Sequence, residues 1–194
     1  MNATASAPAA SDLAGRPNFL TNGHGLKSWL LTLDHKRVAI LYLISVSCYF
    51  LLGGIFAMLV RLELMTPAGD LMLPDTYNRV FTGHGVTMVF FFLIPAIPGI
   101  LGNFLIPLMI GADDMAFPTL NMLSYWFMWP AFICIGASFF VEGGAAKAGW
   151  TSYPPLSALK DAVPGSQLGQ DLWIVGMVFF IASFTMGGLN FVTT

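Results

Sequence analysis

The sequence has 194 residues, of which 56% are hydrophobic and only 9% are charged, whereas a typical soluble domain has about 25% charged residues. This composition predicts a membrane protein and excludes a soluble globular domain. The formal net charge is −2, and no basic cluster offers the positive surface that nucleic-acid binding requires. We therefore exclude nucleic acid as a partner and expect the lipid bilayer to surround the chain.

The N-terminal residues are small and polar, contain proline and glycine, and lack the apolar core of a secretory signal. We predict a disordered polar tail over residues 1–30 and a transmembrane part over residues 31–194. Cys48 and Cys134 lie inside apolar runs without metal-ligand spacing. We interpret both cysteines as small buried residues.

Four apolar segments reach the roughly 20 residues that a bilayer core demands. In chain order these predicted spans cover about residues 38–60, 80–110, 121–141 and 172–192. The fold class is therefore an all-α membrane protein with four transmembrane helices. The sequence stops at Thr194 without a polar tail, from which we expect a polypeptide truncated at its C-terminus.

The distribution of basic residues predicts how the chain is oriented. Four of the eight precede the first span: Arg16, Lys27, Lys36 and Arg37. The other four lie in connections where acidic residues dilute them, so the positive-inside rule favours a cytoplasmic N-terminus. In this orientation the start of the second span faces outward, and the loop after it faces inward.

The second predicted span holds polar residues that an apolar helix does not need. Counted from Arg79 at 1.5 Å per residue, His84 lies roughly 7 Å inside the membrane and Asn103 roughly 36 Å along it. Asp113 and Asp114 follow past the far face. Polar groups at such depths are costly unless they are bonded. A possible metal ligand near one face and carboxylates at the other suit a protein that handles electrons and protons.

The residues alone leave other classes of protein open. A lone histidine beside glycines is more often a packing residue than a metal ligand. Gly83 and Gly85 nevertheless leave room for a flat macrocycle beside His84, and imidazole is a standard haem ligand. A helix interrupted by prolines, with polar residues inside the membrane, is equally typical of a polytopic transporter or channel subunit. A non-catalytic assembly subunit is a third possibility.

Five strings occur in a fixed order and carry a resemblance to a known family. They are LDHKRVAILYL, TGHGVTMVFF, GNFLIPLMIGADDMAFPTLNMLSYW, GWTSYPPL and GGLNFVTT. Over about residues 33–194 the chain resembles subunit I of the haem–copper respiratory oxidases, of the cytochrome c oxidase type. The resemblance implies that the four helices are the first part of a larger polytopic helical bundle. It also implies an enzyme that reduces oxygen to water with electrons from cytochrome c and pumps protons, with a quinol oxidase of the same superfamily as the alternative.

The resemblance assigns cofactor roles to particular residues. It implies that His84 is an axial ligand of a low-spin haem, expected to be haem a, and that Arg61, Trp150 and Tyr153 lie near this haem. Glu63 matches a cation site of some members. A second haem and a copper ion are expected in the complete subunit. Because neither is ligated by this chain, we expect no catalytic residue within it.

The resemblance also implies a proton pathway that begins at Asp114. Its expected walls are Asn103, Asn121, Asn190, Tyr42 and Ser124, and amides of this kind can bind water without ionising. The partners implied are the other oxidase subunits, cytochrome c and oxygen. The location implied is the inner (plasma) membrane of a bacterium, which the chain crosses several times with its N-terminus in the cytoplasm.

Overall fold

The structure is a computed structural model that describes residues 18–23, 25–159 and 167–194. A short helix, α1 (Leu26–Leu30), precedes α2 (His35–Glu63). The second span begins as α3 (Pro74–Val86) and ends as α4 (Asn103–Ile110). It is followed by α5 (Pro118–Ala137), which a 3-10 turn (Ser138–Phe140) extends, and by α6 (Gln167–Thr193). Within the described residues there are helices and loops but no strands.

The four predicted spans are confirmed. The helices that are long and apolar enough to cross a membrane are His35–Glu63, Pro74–Ile110, Pro118–Phe140 and Leu168–Thr193. Each begins three to six residues before the predicted start, because the first turn is built from polar or capping residues that hydropathy does not count. The Asp34 side chain, for example, accepts a 2.8 Å hydrogen bond from the backbone N–H of Lys36 and so caps α2.

The second span is loosened between α3 and α4, as its prolines predicted. The backbone widens into π-helical turns over Thr87–Leu93 and Ala96–Gly102. Pro95 and Pro98 have no N–H to donate, so the regular hydrogen-bond ladder is interrupted where they lie. The helix ends at Gly111, whose φ of 74° is the left-handed conformation that glycine adopts without strain.

The helices run alternately up and down and meet in an aromatic core. α2 lies along the whole second span, while α5 and α6 form the most extensive helix pair. The Tyr49 ring packs edge-on against Phe91 at 5.4 Å between centroids and lies 4.4 Å from Phe132. Gly176 allows α6 to approach α5, because a Cβ there would lie only 2.7 Å from the Ile135 side chain. His84 and Asp114 consequently lie at opposite ends of one bundle, which we call the histidine end and the aspartate end.

The segment before α2 is ordered in part by a buried cation. Arg37 is only 4% exposed, and its guanidinium lies 4.8 Å from the centroid of the Trp29 ring. It donates hydrogen bonds to three backbone carbonyls, those of Phe19, Asn22 and Ser28. The disordered tail predicted over residues 1–30 therefore extends too far, because a buried guanidinium binds these carbonyls in place of water. The first 17 residues of that prediction lie outside the described residues.

Candidate functional site

His84 lies in the last turn of α3 with its ring held by the neighbouring helix. Its Nδ1 lies 2.9 Å from the backbone carbonyl oxygen of Gly53 on α2. A carbonyl can only accept a hydrogen bond, so Nδ1 carries the hydrogen and the neutral ring keeps a lone pair on Nε2. Proteins orient metal-binding histidines through this kind of second hydrogen bond. The contact between α2 and α3 therefore leaves Nε2 as the atom that can bind a metal.

The glycines beside His84 face aromatic rings. A Cβ on Gly83 would lie 2.9 Å from the ring of Phe139 and 3.3 Å from that of Phe56. Phe56 and Phe139 stack on each other with centroids 5.6 Å apart and an interplanar angle of 11°. A Cβ on Gly85 would lie 3.1 Å from the Trp150 ring. In this structure the chain's own aromatic rings thus lie against both glycines.

Of the three residues predicted to accompany His84, the structure brings Trp150 closest. Trp150 lies against Gly85, the residue after His84, and its ring centroid is 6.0 Å from that of Phe90. Arg61 is exposed in the last turn of α2, about 12 Å further along the helix axis than Gly53. Tyr153 is 72% exposed in the loop that carries Trp150. All three lie at the histidine end.

The residues at the histidine end fit one axial ligand of a haem. Imidazole is a standard ligand of haem iron, and the bond to Gly53 leaves Nε2 of His84 available. The other histidine in the described part of the chain, His35, begins α2. It lies 18 residues before Gly53, or about 27 Å along the axis, and so cannot complete an axial pair with His84.

Glu63 has a structural role at this end. It is 8% exposed, and its Oε2 accepts hydrogen bonds from the backbone N–H groups of Leu71 (3.1 Å) and Met72 (2.8 Å). Within the described ranges no three His, Cys, Asp or Glu side chains are grouped so as to hold a metal ion. Glu63 thus anchors the loop between α2 and α3, and the predicted cation site lacks a ligand cluster there.

A mainly apolar cavity with a few polar groups lies toward the aspartate end and includes half of the six residues predicted for the pathway. It offers about 60 Å³ to the centres of water-sized molecules, which is room for several waters. Its polar lining consists of Tyr42, Asn103, Ser124 and Ser183, and Pro95, Pro98 and Gly99 contribute to its apolar wall. Three of the predicted residues, Tyr42, Asn103 and Ser124, are therefore brought to one cavity.

Hydroxyl groups in this cavity are linked into a chain. Tyr42 Oη and Ser124 Oγ lie 3.1 Å apart, and Tyr42 is the donor because the single hydroxyl hydrogen of Ser124 is donated to a carbonyl. Ser124 Oγ also lies 2.7 Å from the carbonyl of Asn121, and Ser183 Oγ donates to the carbonyl of Ser124 at 2.6 Å. These hydrogen bonds connect α2, α5 and α6 across the bundle.

Two buried amide atoms near these hydroxyl groups have no hydrogen-bond partner among the described residues. Asn103 is 2% and Asn121 1% exposed, yet Asn103 Oδ1 and Asn121 Nδ2 make no hydrogen bond within the described part of the chain. A buried polar atom without a partner is costly, and such atoms are usually satisfied by ordered water. The asparagines thus mark positions where water is expected to bind.

Asn190 has a structural role in the loop between α4 and α5. It is fully buried, and its Oδ1 accepts from the backbone N–H of Phe117 at 2.9 Å while its Nδ2 donates to the Phe117 carbonyl at 3.0 Å. Thr194 Oγ1 accepts from the N–H of Ala116 at 3.0 Å. Asn190 thus uses its amide oxygen and one of its two amide hydrogens to latch the loop that carries Asp114.

Asp114 itself is half-buried, and its Oδ1 accepts a hydrogen bond from the N–H of Met115 at 2.7 Å. Asp113 beside it is exposed. The described part of the loop between α4 and α5 has no basic side chain, and neither aspartate has an ion-pair partner among the described residues. Asp114 is therefore a half-buried carboxylate without a charged partner among the described residues, at the end of the bundle toward which the cavity lies.

Sequence reasoning assigned no role to His35 or to the carbonyl of Gly53. His35 is 1% exposed; its Nδ1 lies 2.6 Å from the carbonyl of Asn103, and its Nε2 is buried without a partner among the described residues. A histidine in the first turn of an apolar span is a signal that could have pointed to it. The carbonyl of Gly53 has no such signal, because every residue carries the same backbone group.

Comparison with known proteins agrees with this geometry. Residues 37–194 match the family described as "Cytochrome C and Quinol oxidase polypeptide I". This chain belongs to that family. The resemblance on which the residue assignments were based is thus confirmed.

Several curated bacterial members of the family are similar to the chain. Cytochrome c oxidase subunit 1 of Synechocystis sp. is 42% identical over 179 residues, which cover 90% of this chain and 31% of the relative. The same subunit of Thermostichus vulcanus is 43% identical over 83% of this chain and 28% of its own length. The probable subunit 1-alpha of Streptomyces avermitilis is 40% identical over 89% of this chain and 29% of its own. The chain thus spans about three-tenths of the length of these relatives, and the oxidase family together with four apolar helices describes a multi-pass bacterial plasma-membrane protein.

Proposed function

We propose that this chain forms part of the catalytic subunit of a terminal respiratory oxidase that reduces oxygen to water with electrons from cytochrome c and pumps protons. Cytochrome c is the proposed donor because the similar relatives are named cytochrome c oxidase subunits. The other subunits of the oxidase are the proposed partners. The observation that carries the proposal is the 2.9 Å contact between His84 Nδ1 and the Gly53 carbonyl, which leaves Nε2 free for iron.

At the histidine end, His84 is proposed to provide one axial ligand to a low-spin haem, taken to be haem a. When bound between two strong-field imidazoles, such a haem supplies one-electron transfer without an open site for oxygen. Gly53 holds the His84 ring in one tautomer, and Trp150 covers the neighbouring turn. Arg61, with several fixed N–H donors, would bind an oxygen substituent of the group. Tyr153 would reach the group only from the exposed loop.

At the aspartate end, Asp114 is proposed to take up protons from water. This end also holds Lys27, Lys36 and Arg37, which under the positive-inside rule supports a cytoplasmic location. Water in the cavity would be held by Asn103 Oδ1, which lacks a partner among the described residues. Asn121 Nδ2, which does not line the cavity, would bind a water of its own. Because Ser124 Oγ donates its one hydrogen to the Asn121 carbonyl, Tyr42 is the donor in the Tyr42–Ser124 pair, and the hydrogen bonds run from Tyr42 through Ser124 to Asn121. The chain's own part in proton movement is thus an inlet carboxylate and a hydrated polar path.

Substitution of His84, with His35 as the control, tests the proposal. In the purified oxidase that contains this subunit, His84→Ala should abolish the low-spin haem signal in absorbance and EPR, because the iron loses an axial nitrogen. His35→Ala is the matched control. It also removes an imidazole from a terminal turn of a helix, but His35 begins α2 at the aspartate end, whereas His84 lies in the last turn of α3 at the histidine end. A low-spin signal that survives His84→Ala would refute the proposal.

A further inference from the structure

The loop between α5 and α6 is tied to the start of α3 by an ion pair. Lys147 Nζ lies 2.5 Å from Asp75 Oδ2, and the side chain of Lys147 is only 4% exposed. The same carboxylate oxygen lies 3.4 Å from Nη2 of Arg79. A buried ammonium is costly unless it is paired at good geometry. Lys147 therefore gains its pairing only while the loop is seated on α3.

The backbone of the loop also lies directly on α3. Gly144 has a φ of 73°, and a Cβ there would overlap the guanidinium of Arg79. Further along, the N–H of Gly149 donates a 3.0 Å hydrogen bond to Thr82 Oγ1, and Thr82 is 2% exposed. Asp75 and Thr82 are seven residues apart, which places them on nearly the same face of the helix. The loop is thus held at two heights on one face of α3.

The next residue of the loop is the one that meets the histidine turn. Trp150 follows Gly149 directly, and a Cβ on Gly85 would lie 3.1 to 3.4 Å from three atoms of its side chain. Trp150 itself is 44% exposed, so the packing of its own side chain fixes its position only in part. Its position depends on the contacts on either side of it, which include the hydrogen bond from Gln170 Nε2 to Ser152 Oγ at 2.8 Å.

We propose that Asp75 and Lys147 are positioning residues for the histidine end: their ion pair seats the loop on α3 and thereby keeps Trp150 against the turn that carries His84. Neither residue touches His84 in the structure; each acts through the loop. The proposal rests on the proposed function in one respect, since its effect on a haem requires His84 to be the ligand. The seating of the loop does not depend on any haem.

Removal of the pair should release the loop and admit water to the haem. Water stabilises the more highly charged, oxidised form of a haem, since the shell around a metal site controls its dielectric and its reduction potential. Lys147→Met and Asp75→Asn should therefore lower the midpoint potential of the low-spin haem. Each should also speed hydrogen exchange at the Gly149 amide by about tenfold, the change that corresponds to roughly 1.4 kcal/mol of lost seating energy.

The test uses the purified oxidase complex and measures both quantities, amide exchange at Gly149 and the haem potential. Lys147→Arg should restore both, because it keeps the charge, and the double variant should be no worse than the worse single variant because the two residues act as one pair. Glu142→Gln is the control, since Glu142 is an exposed carboxylate in the same loop. It should change neither quantity.

Two results would overturn the proposal. One is exchange at Gly149 that remains at the control level in Lys147→Met and Asp75→Asn. The other is faster exchange with an unchanged haem potential, which would make the pair a stabiliser of the loop alone. If His84 proves not to ligate the low-spin haem, the proposed function fails separately, and the exchange measurement still decides whether the pair seats the loop.

Discussion

The two ends of the bundle hold their candidate functional groups in different ways. At the histidine end the His84 ring is held by the Gly53 carbonyl and its neighbouring turn is covered by aromatic rings. At the aspartate end, Asn103 Oδ1 and Asn121 Nδ2 are buried without partners among the described residues, and Asn103 lines a mainly apolar cavity with a few polar groups. A metal ligand must be fixed in one orientation, whereas a path for protons needs groups that remain free to bind water. One helix, the second span, provides both environments.

The largest expected effect breaks the aspartate end alone. Asp114→Asn keeps the shape of the side chain and an acceptor for the N–H of Met115, but it removes the group that titrates. In the whole oxidase reconstituted in vesicles, we expect turnover to fall by roughly a hundredfold, the scale of a lost proton-transfer group, and proton ejection to stop. Haem spectra should be unchanged, because the substitution lies at the other end of the bundle.

Asp113→Asn is the matched control for this experiment. Asp113 is the exposed neighbour in the same loop. Its substitution by Asn removes the same charge from the same surface. Turnover close to that of the wild type is expected. Normal pumping in Asp114→Asn would refute the role proposed for this carboxylate.

A smaller effect is expected from the latch of the inlet loop. Asn190→Ala leaves the N–H and carbonyl of Phe117 without the partners they have now, at a cost of about 1–3 kcal/mol for a buried group. We expect proton uptake to slow several-fold while the haem potential remains unchanged. Asn190→Asp keeps the acceptor for the Phe117 N–H but loses the donor, so it should recover only part of the rate; equal rates in the wild type and Asn190→Ala would show that the latch has no role in uptake.

The histidine end can be perturbed without removing a ligand. Arg61→Met removes an exposed guanidinium from the last turn of α2 and should lower the midpoint potential of the low-spin haem, because N–H donors to an oxygen substituent favour the electron-rich form. Potentiometric titration of the purified oxidase measures this shift. An unchanged potential would identify Arg61 as an interface anchor, and proton uptake should be unaffected in either case.

The smallest effect concerns a single hydrogen bond in the cavity. Tyr42→Phe removes the hydroxyl that lies 3.1 Å from Ser124 Oγ and leaves the aromatic ring, which packs edge-on against Tyr125. We expect a loss of about 1 kcal/mol in thermal unfolding and a modest slowing of proton uptake. A rate of uptake equal to that of the wild type would exclude Tyr42 from the path while leaving its structural role intact.

The sequence predicted what depends on composition and on the type of side chain. Residue types were enough to predict the four spans and the loosening of the second span at Pro95 and Pro98. The family resemblance predicted that Tyr42 and Ser124 lie together. The sequence could not predict which hydrogen-bond partner each polar group has. Asn103 and Asn190 carry the same amide, yet Asn103 leaves its oxygen without a partner, whereas the oxygen and the nitrogen of Asn190 both bind the backbone of Phe117.

Backbone groups explain the other gaps. The acceptor for His84 is the carbonyl of Gly53, and the acceptors for Arg37 are carbonyls of the segment before α2. Each residue has such a carbonyl, so the sequence gives no sign of which one is used. Arg37 was counted only as a positive charge near the membrane, although its burial orders the chain that precedes it.

The central claim is that the Gly53 carbonyl presents Nε2 of His84 to iron, and chemical rescue tests it most directly. In the whole oxidase, His84→Gly should lose the low-spin haem signal and leave a space the size of an imidazole. Added imidazole should restore the low-spin EPR and absorbance signals in that variant, in proportion to its concentration. Loss of the signal with rescue by imidazole is the result that the structure predicts, whereas a His84→Gly oxidase with an unaltered low-spin signal before any imidazole is added would contradict it.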